Sequence, residues 1–150
     1  MTVLTIRDMR LEDCEELSKI DRETFSLPLT RRGFEREYSN PNATTLVALY
    51  GDELIGYANL WSVCGEVTLN NIAVREKYRS NGAGTALLNE AIRRFSGCDL
   101  LTLEVRRSNL KAIKLYERFG FVKVGERRDF YDRPREDAIL MTKFFGEQQP

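Results

Sequence analysis

Asn71-Ile72-Ala73-Val74-Arg75-Glu76-Lys77-Tyr78-Arg79-Ser80-Asn81-Gly82-Ala83-Gly84-Thr85 is the stretch on which the reading of this chain turns. Its first residues close a run of strand formers, Glu66–Val74. Its last residues open an amphipathic segment in which Leu87, Leu88, Ala91, Ile92 and Phe95 recur at helical spacing, ending near Gly97. The unpaired amides and the dipole of a helix start attract anions. Gly82 and Gly84 let phosphate oxygens approach backbone that a side chain would cover. Arg79 to Thr85 is therefore a candidate diphosphate cradle. Its spacing does not fit G-x-G-x-x-G, and no Lys-Ser/Thr follows as in a P-loop, so ordinary dinucleotide and ATP sites are disfavoured. Read alone, such a turn is more often just a flexible start to a helix.

Outward from this stretch the elements alternate in kind. Thr2–Arg7 reads as a strand, and Leu11, Cys14, Leu17, Ile20 and Phe25 mark a first helix. A second helix starts after Thr30 and stops at Asn40-Pro41-Asn42. Between them Ser26-Leu27-Pro28-Leu29 is an apolar loop, read as a packed connector in preference to the lip of a pocket. Thr44–Tyr50, Glu53–Val63 and Glu66–Val74 form a meander joined at Gly51-Asp52 and Cys64-Gly65. After the glycine turn and its helix come a strand at Leu100–Val105, a helix over Asn109–Phe119 closed by Gly120, and strands at Phe121–Arg128 and Ala138–Phe145. The order β-α-α-β-β-β-α-β-α-β-β predicts one domain over residues 1–150, of α/β (α+β) class, with a central mixed, mostly antiparallel sheet and helices on both faces.

Composition removes several chemistries. The chain has 150 residues, 23 basic and 23 acidic side chains, three cysteines and no histidine. A domain of this size buries roughly 68–70% of its extended surface, enough for a core without staples. Without imidazole there is no Ser-His-Asp or Cys-His nucleophile and no histidine-bound zinc. Acid–base work falls to carboxylate, tyrosine, lysine or thiol. Cys14, Cys64 and Cys98 are odd in number and without C-x-x-C, which predicts reduced, mostly buried thiols, no disulfide framework and no metal. No apolar run reaches the ~18 residues of a membrane span, and no signal sequence opens the chain, so no membrane partner and a cytoplasmic location are expected.

The fragments Asn71-Ile72-Ala73-Val74, Arg79-x-x-Gly82-x-Gly84, Leu103-Glu104-Val105-Arg106 and Asn109 through Leu115-Tyr116-Glu117 to Gly120-Phe121 together resemble the GNAT family of acyl-CoA-dependent N-acetyltransferases. The likeness runs from Ile6-Arg7 to Glu136-Asp137-Ala138-Ile139-Leu140-Met141 and rests on order and spacing rather than on any one fragment. Ala73-Val74, Leu103-Glu104-Val105-Arg106-x-Ser108-Asn109 and Arg127-Arg128-x-x-Tyr131 through Arg135-Glu136-Asp137-Ala138-Ile139 together make the chain look most like the RimI-type group, whose members acetylate the N-terminal alanine of a small-subunit ribosomal protein. The resemblance implies the GNAT fold, acetyl-CoA as co-substrate, no metal, and direct transfer in a ternary complex to a protein N-terminus. A monomer or weak homodimer is expected.

It also implies roles residue by residue. Glu104, near the end of a strand and between apolar neighbours, is the expected proton acceptor; the alternative is a solvated or salt-bridged strand residue, near Arg106 and Arg107. Tyr116 is the expected donor to the departing thiolate, against a tyrosine that merely packs. Asn109 is expected both to cap its helix and to contact CoA. The main chain of Ile72, Ala73 and Val74 is expected to meet the thioester and pantetheine. The amides of Ser80, Asn81, Gly82, Ala83, Gly84 and Thr85 are expected to meet the pyrophosphate, with Arg79, Arg106 or Lys111 offsetting phosphate charge.

For the acceptor the resemblance points to Leu27-Pro28-Leu29 and Tyr131, although Leu29 stands where group members often carry tryptophan, and Tyr131 is also readable as decoration of a turn over Asp129–Arg135. Two other functions stay open: acetylation of a small amine or lysine side chain, and a non-catalytic acyl-CoA-binding module. Net charge is −5 over residues 1–74, +7 over 75–128 and −2 over 129–150. The basic segment brackets one diphosphate loop and lacks interleaved aromatics, which suits CoA phosphates better than a nucleic acid.

Overall fold

The computed structural model describes residues 3–146, so Thr2 of the expected first strand lies outside the described residues. Strand β1 (Leu4–Asp8) leads through a 3-10 turn to helices α1 (Cys14–Thr24) and α2 (Arg31–Ser39). The meander follows as β2 (Ala43–Tyr50), β3 (Glu53–Val63) and β4 (Glu66–Val74). Then come α3 (Ala83–Arg94), β5 (Leu100–Arg106), α4 (Leu110–Arg118), β6 (Val122–Tyr131) and β7 (Glu136–Phe144). The element order is the expected one.

Local chemistry sets the boundaries. The Thr30 hydroxyl accepts from the Gly33 amide at 3.1 Å and the Asn109 side chain accepts from the Ala112 amide at 3.2 Å, so α2 and α4 begin where capping residues allow. Helix α3 ends at Arg94, short of Gly97, because the chain tightens into a turn in which Cys98 N–H bonds the Phe95 carbonyl at 2.9 Å. Strands β6 and β7 extend past the expected limits, leaving a turn of only residues 132–135; Tyr131 ends β6 opposite Glu136 instead of sitting within a turn.

The seven strands lie in the order β1-β2-β3-β4-β5-β7-β6. Only the β4–β5 pair is parallel, because α3 carries the chain back across one face between them. Helix α4 likewise returns the chain, but β7 inserts between β5 and β6 and pairs antiparallel with both. Leu87, Leu88 and Ala91 of α3 pack with Leu60, Leu101 and Met141 on one face, and Leu17, Ile20 and Phe34 of α1 and α2 pack with Val47 and Tyr57 on the other. With both faces covered, β3 is buried continuously from Leu54 to Leu60. Only Cys14 among the cysteines is buried; Cys64 is exposed at the β3–β4 turn and Cys98 is intermediate, against the expectation of mostly buried thiols. Among the described residues no helix is long and apolar enough to cross a membrane.

Candidate active site

The site begins where the sheet comes apart. Strand β4 pairs with β3 as far as Val74 but with β5 only as far as Leu69, opposite Leu103. At the same point the β3–β4 register slips. Asn59 faces Asn71 while Leu60 faces Leu69, which leaves Asn70 as an inserted bulge residue, its side-chain amide on the Asn59 oxygen at 3.0 Å. Past the bulge β4 follows β3 and β5 follows β7, so a wedge opens between Asn70–Val74 and Glu104–Arg106.

Strand alternation says which peptide groups face that wedge. Arg75 N–H bonds the Ile55 carbonyl at 2.8 Å, so Ala73, two residues back, also presents its peptide group to β3. Consistently, a Cβ on Gly56 would lie 2.7 Å from the Ala73 carbonyl oxygen. Ile72 and Val74 are left facing the gap. The expected trio thus reduces to two residues with main-chain groups available, and Ala73 contributes only wall.

The wedge widens into a cleft of about 1450 Å³. At one end stands the start of α3. Gly82 occupies the cap position with φ 87°, a left-handed conformation open to glycine, and supplies no side chain to bond the first-turn amides. The amides of Ala83, Gly84 and Thr85 therefore lack intrahelical partners, and the first turn holds no acidic residue. A Cβ on Gly82 or Gly84 would meet no heavy atom within 4 Å: both open onto the cleft. Arg79, Ser80, Gly82, Ala83, Gly84 and Thr85 line this end, while Asn81 does not. Arg79 Nε bonds the Val74 carbonyl at 2.9 Å and Lys111 Nζ reaches Ser80 Oγ at 3.4 Å, so two cations border the free amides. These are the donors a diphosphate requires.

Glu104, Asn109 and Tyr116 line the middle. The Glu104 cation is Arg127, from β6, with Nε 3.3 Å from Oε2; neither Arg106 nor Arg107 takes that place. Arg107 pairs with Glu126, and Arg106 with Glu136 at 3.3 Å. Glu104 Oε2 is buried yet accepts no hydrogen bond. Tyr116 is 6% exposed. Its phenol is pushed up to about 12 by burial, and secondarily by the Tyr131 phenol, so it stays protonated through neutral pH. Tyr131 is also pushed up to about 12, by burial first and then by the Glu104 carboxylate, against an opposing pull from Arg106.

The far end is bounded on one side by Leu27, Pro28 and Leu29 and on the other by Phe130, Tyr131, Arg133 and Pro134. The loop is the lip of the pocket and not the packed connector expected, with Leu27 81% exposed. It is anchored by a residue the sequence reading passed over: Asp21 of α1, buried, takes the Leu29 amide on Oδ2 at 2.8 Å and the Tyr57 hydroxyl on Oδ1. Burial pushes the Asp21 carboxyl up, against the pull of its two donors, and burial together with the Asp21 carboxyl pushes the Tyr57 phenol up. Tyr57→Phe would strand a buried carboxylate oxygen; we expect a loss of about 2–3 kcal/mol in urea unfolding with an unchanged m-value. Wild-type stability would show that the bond contributes nothing.

The geometry defines a class. The sequence profile of the acetyltransferase (GNAT) family matches residues 14–121. The chain belongs to that family. A Bacillus subtilis protein provisionally described as a ribosomal protein bS18-alanine N-acetyltransferase is 36% identical over 149 residues, covering 97% of this chain and 99% of its own. The ribosomal protein bS18-alanine N-acetyltransferase of Escherichia coli is 33% identical over 142 residues, covering 92% of this chain and 95% of its own. The crystal structure of the ribosomal-protein-S18-alanine N-acetyltransferase from Escherichia coli superposes with a TM-score of 0.88 at 31% identity, covering 99% of both chains.

Proposed function

We propose that this acetyltransferase moves the acetyl group of acetyl-CoA to the N-terminal α-amine of a protein, the acceptor being the N-terminal alanine of a small-subunit ribosomal protein. The observation that carries the reading is a single cleft: the unpaired amides of the α3 start at one end, Glu104 and Tyr116 in the middle, and Leu27, Pro28, Leu29 and Tyr131 at the other. The names of the relatives point the same way. A non-catalytic acyl-CoA binder has no use for a carboxylate and a protonated phenol in its cleft. A polyamine needs free carboxylates, and the lining offers two, Asp21 and Glu104. Asp21 already has a donor on each oxygen and Glu104 faces Arg127, while Arg79, Arg106, Lys111, Arg118 and Arg133 make the wall basic. An acceptor with one amine on an uncharged chain suits this wall better.

In this reading the α3 amides hold the diphosphate, and the peptide groups of Ile72 and Val74 hold the thioester arm and its carbonyl oxygen. Asn109 borders the same arm. Glu104 takes the proton from the incoming ammonium, directly or through water. The amine nitrogen then bonds the acetyl carbon, the carbon–sulfur bond breaks, Tyr116 gives its proton to the sulfur, and the second proton shed by the nitrogen passes through water to restore the phenol. Leu27, Pro28, Leu29 and Tyr131 border the acceptor. Transfer is direct within a ternary complex, no acetyl-enzyme forms, and the enzyme works in the cytoplasm as a monomer or weak homodimer.

The test is acetylation of a mixture of Ala-, Ser- and Met-initiated peptides, spermidine and free lysine, followed by intact mass. Product on the Ala-initiated peptide ahead of all others is expected; turnover of spermidine alone would overturn the reading. For the cradle, Gly82→Val places a branched side chain at φ 87° beside the free amides. The Kd for CoA should rise at least about tenfold by calorimetry. Unchanged affinity would refute the cradle.

A further inference from the structure

We propose that Arg106 is the positioning residue that holds the acceptor wall of this cleft in shape, an inference that rests on the peptide-acceptor reading above. Arg106 ends β5 two residues beyond Glu104, on the same face of the strand. Its guanidinium reaches across to the β6–β7 turn. Nη1 donates to the Pro134 carbonyl at 2.9 Å and to Glu136 Oε1 at 3.3 Å, and Nη2 donates to the Asp132 carbonyl at 3.2 Å. Its Cζ lies 4.5 Å from the centre of the Tyr131 ring. One side chain thus holds two main-chain carbonyls of the turn, its flanking carboxylate and the aromatic ring that borders the acceptor.

Nothing apolar does this work. Asp132, Arg133, Pro134 and Arg135 are all exposed, so the turn has no buried face to fix it. Glu136 extends the staple: its other oxygen accepts from the Ser108 amide at 2.6 Å, next to Asn109, which caps the helix that carries Tyr116. The acceptor wall and the start of the proton-donor helix are thereby tied to the end of the Glu104 strand. A planar fork of donors can serve this many acceptors at once; a lysine ammonium on a flexible stem cannot. The same contacts direct Arg106 to the acceptor end, away from the phosphate role that its place in the basic segment suggests.

The test compares Arg106→Met and Arg106→Lys with the wild type, using an Ala-initiated peptide and acetyl-CoA. We expect the peptide KM to rise about tenfold in both variants, with kcat within about threefold and the Kd for acetyl-CoA within about twofold of wild type. Amide hydrogen exchange, read without substrate, should accelerate at least about tenfold over residues 129–136 and not in α3. A wild-type KM and wild-type exchange in Arg106→Met would overturn the proposal. So would full rescue by Arg106→Lys, or a Kd for acetyl-CoA that weakens in step with KM. Should Arg106→Met fail to fold, Glu136→Gln, which weakens one arm of the staple, must move KM and exchange in the same direction, and no movement in either overturns it. If the wild type leaves peptides untouched, the peptide-acceptor reading fails, while the exchange measurement still decides the staple.

Discussion

Glu104→Gln should lower kcat/KM for an Ala-initiated peptide by about 10²- to 10⁴-fold near neutral pH and leave the Kd for acetyl-CoA unchanged. Glutamine keeps the volume of the side chain on β5 and removes the charge that faces Arg127, so the lost function is proton acceptance rather than shape. The sign of the pH effect follows from the acceptor. A peptide α-amine has a pKa of about 8, so below that pH something must take its proton, whereas above it the amine arrives neutral. The deficit should therefore shrink as pH rises from about 7 to about 9.5. Steady-state kinetics across that range check this. An undiminished rate, or a deficit that is flat with pH, would show that Glu104 does not accept the proton.

Tyr116→Phe should lower kcat on the order of tenfold to a hundredfold with KM and CoA affinity nearly unchanged. The effect is smaller than at Glu104 because a thiolate with a pKa near that of cysteine, about 8.5, leaves without full protonation. None of the described residues hydrogen-bonds the Tyr116 hydroxyl, so its removal breaks no structural bond, and the ring keeps its packing 5.7 Å from Phe121. With the phenol pushed up to about 12, it remains protonated through the assay range, and the wild-type profile should show no basic limb from this group below about pH 11. Wild-type turnover by Tyr116→Phe would assign the proton to another donor, with Tyr131 next to be tested.

Much of the fold was readable because its signals are local. Period-3.6 apolar spacing marked α1 and α3, capping by Thr30 and Asn109 marked α2 and α4, and glycine turns marked the meander. The open start of α3 was readable for the same reason: Gly82 and Gly84 signal by lacking side chains. What escaped depends on partners distant in sequence. Asp21 looks like any polar residue of an amphipathic helix until Tyr57 and the Leu29 amide close on it. From sequence Arg106 reads as a partner for phosphates or for Glu104, because a turn at residues 132–136 has no visible claim on it before β7 inserts between β5 and β6. Arg127 becomes the Glu104 cation through the same insertion. Asn70 cannot be recognised as a bulge until strand register is known.

The central claim is transfer to a protein α-amine, and localisation of the acetyl group tests it most directly. An Ala-initiated peptide carrying one internal lysine is incubated with enzyme and acetyl-CoA, alongside the same peptide with its N-terminus blocked, and the acetylated position is read by fragment mass spectrometry. The account predicts acetyl on the alanine nitrogen of the open peptide and none on the blocked one. Acetyl-lysine on both peptides would contradict it.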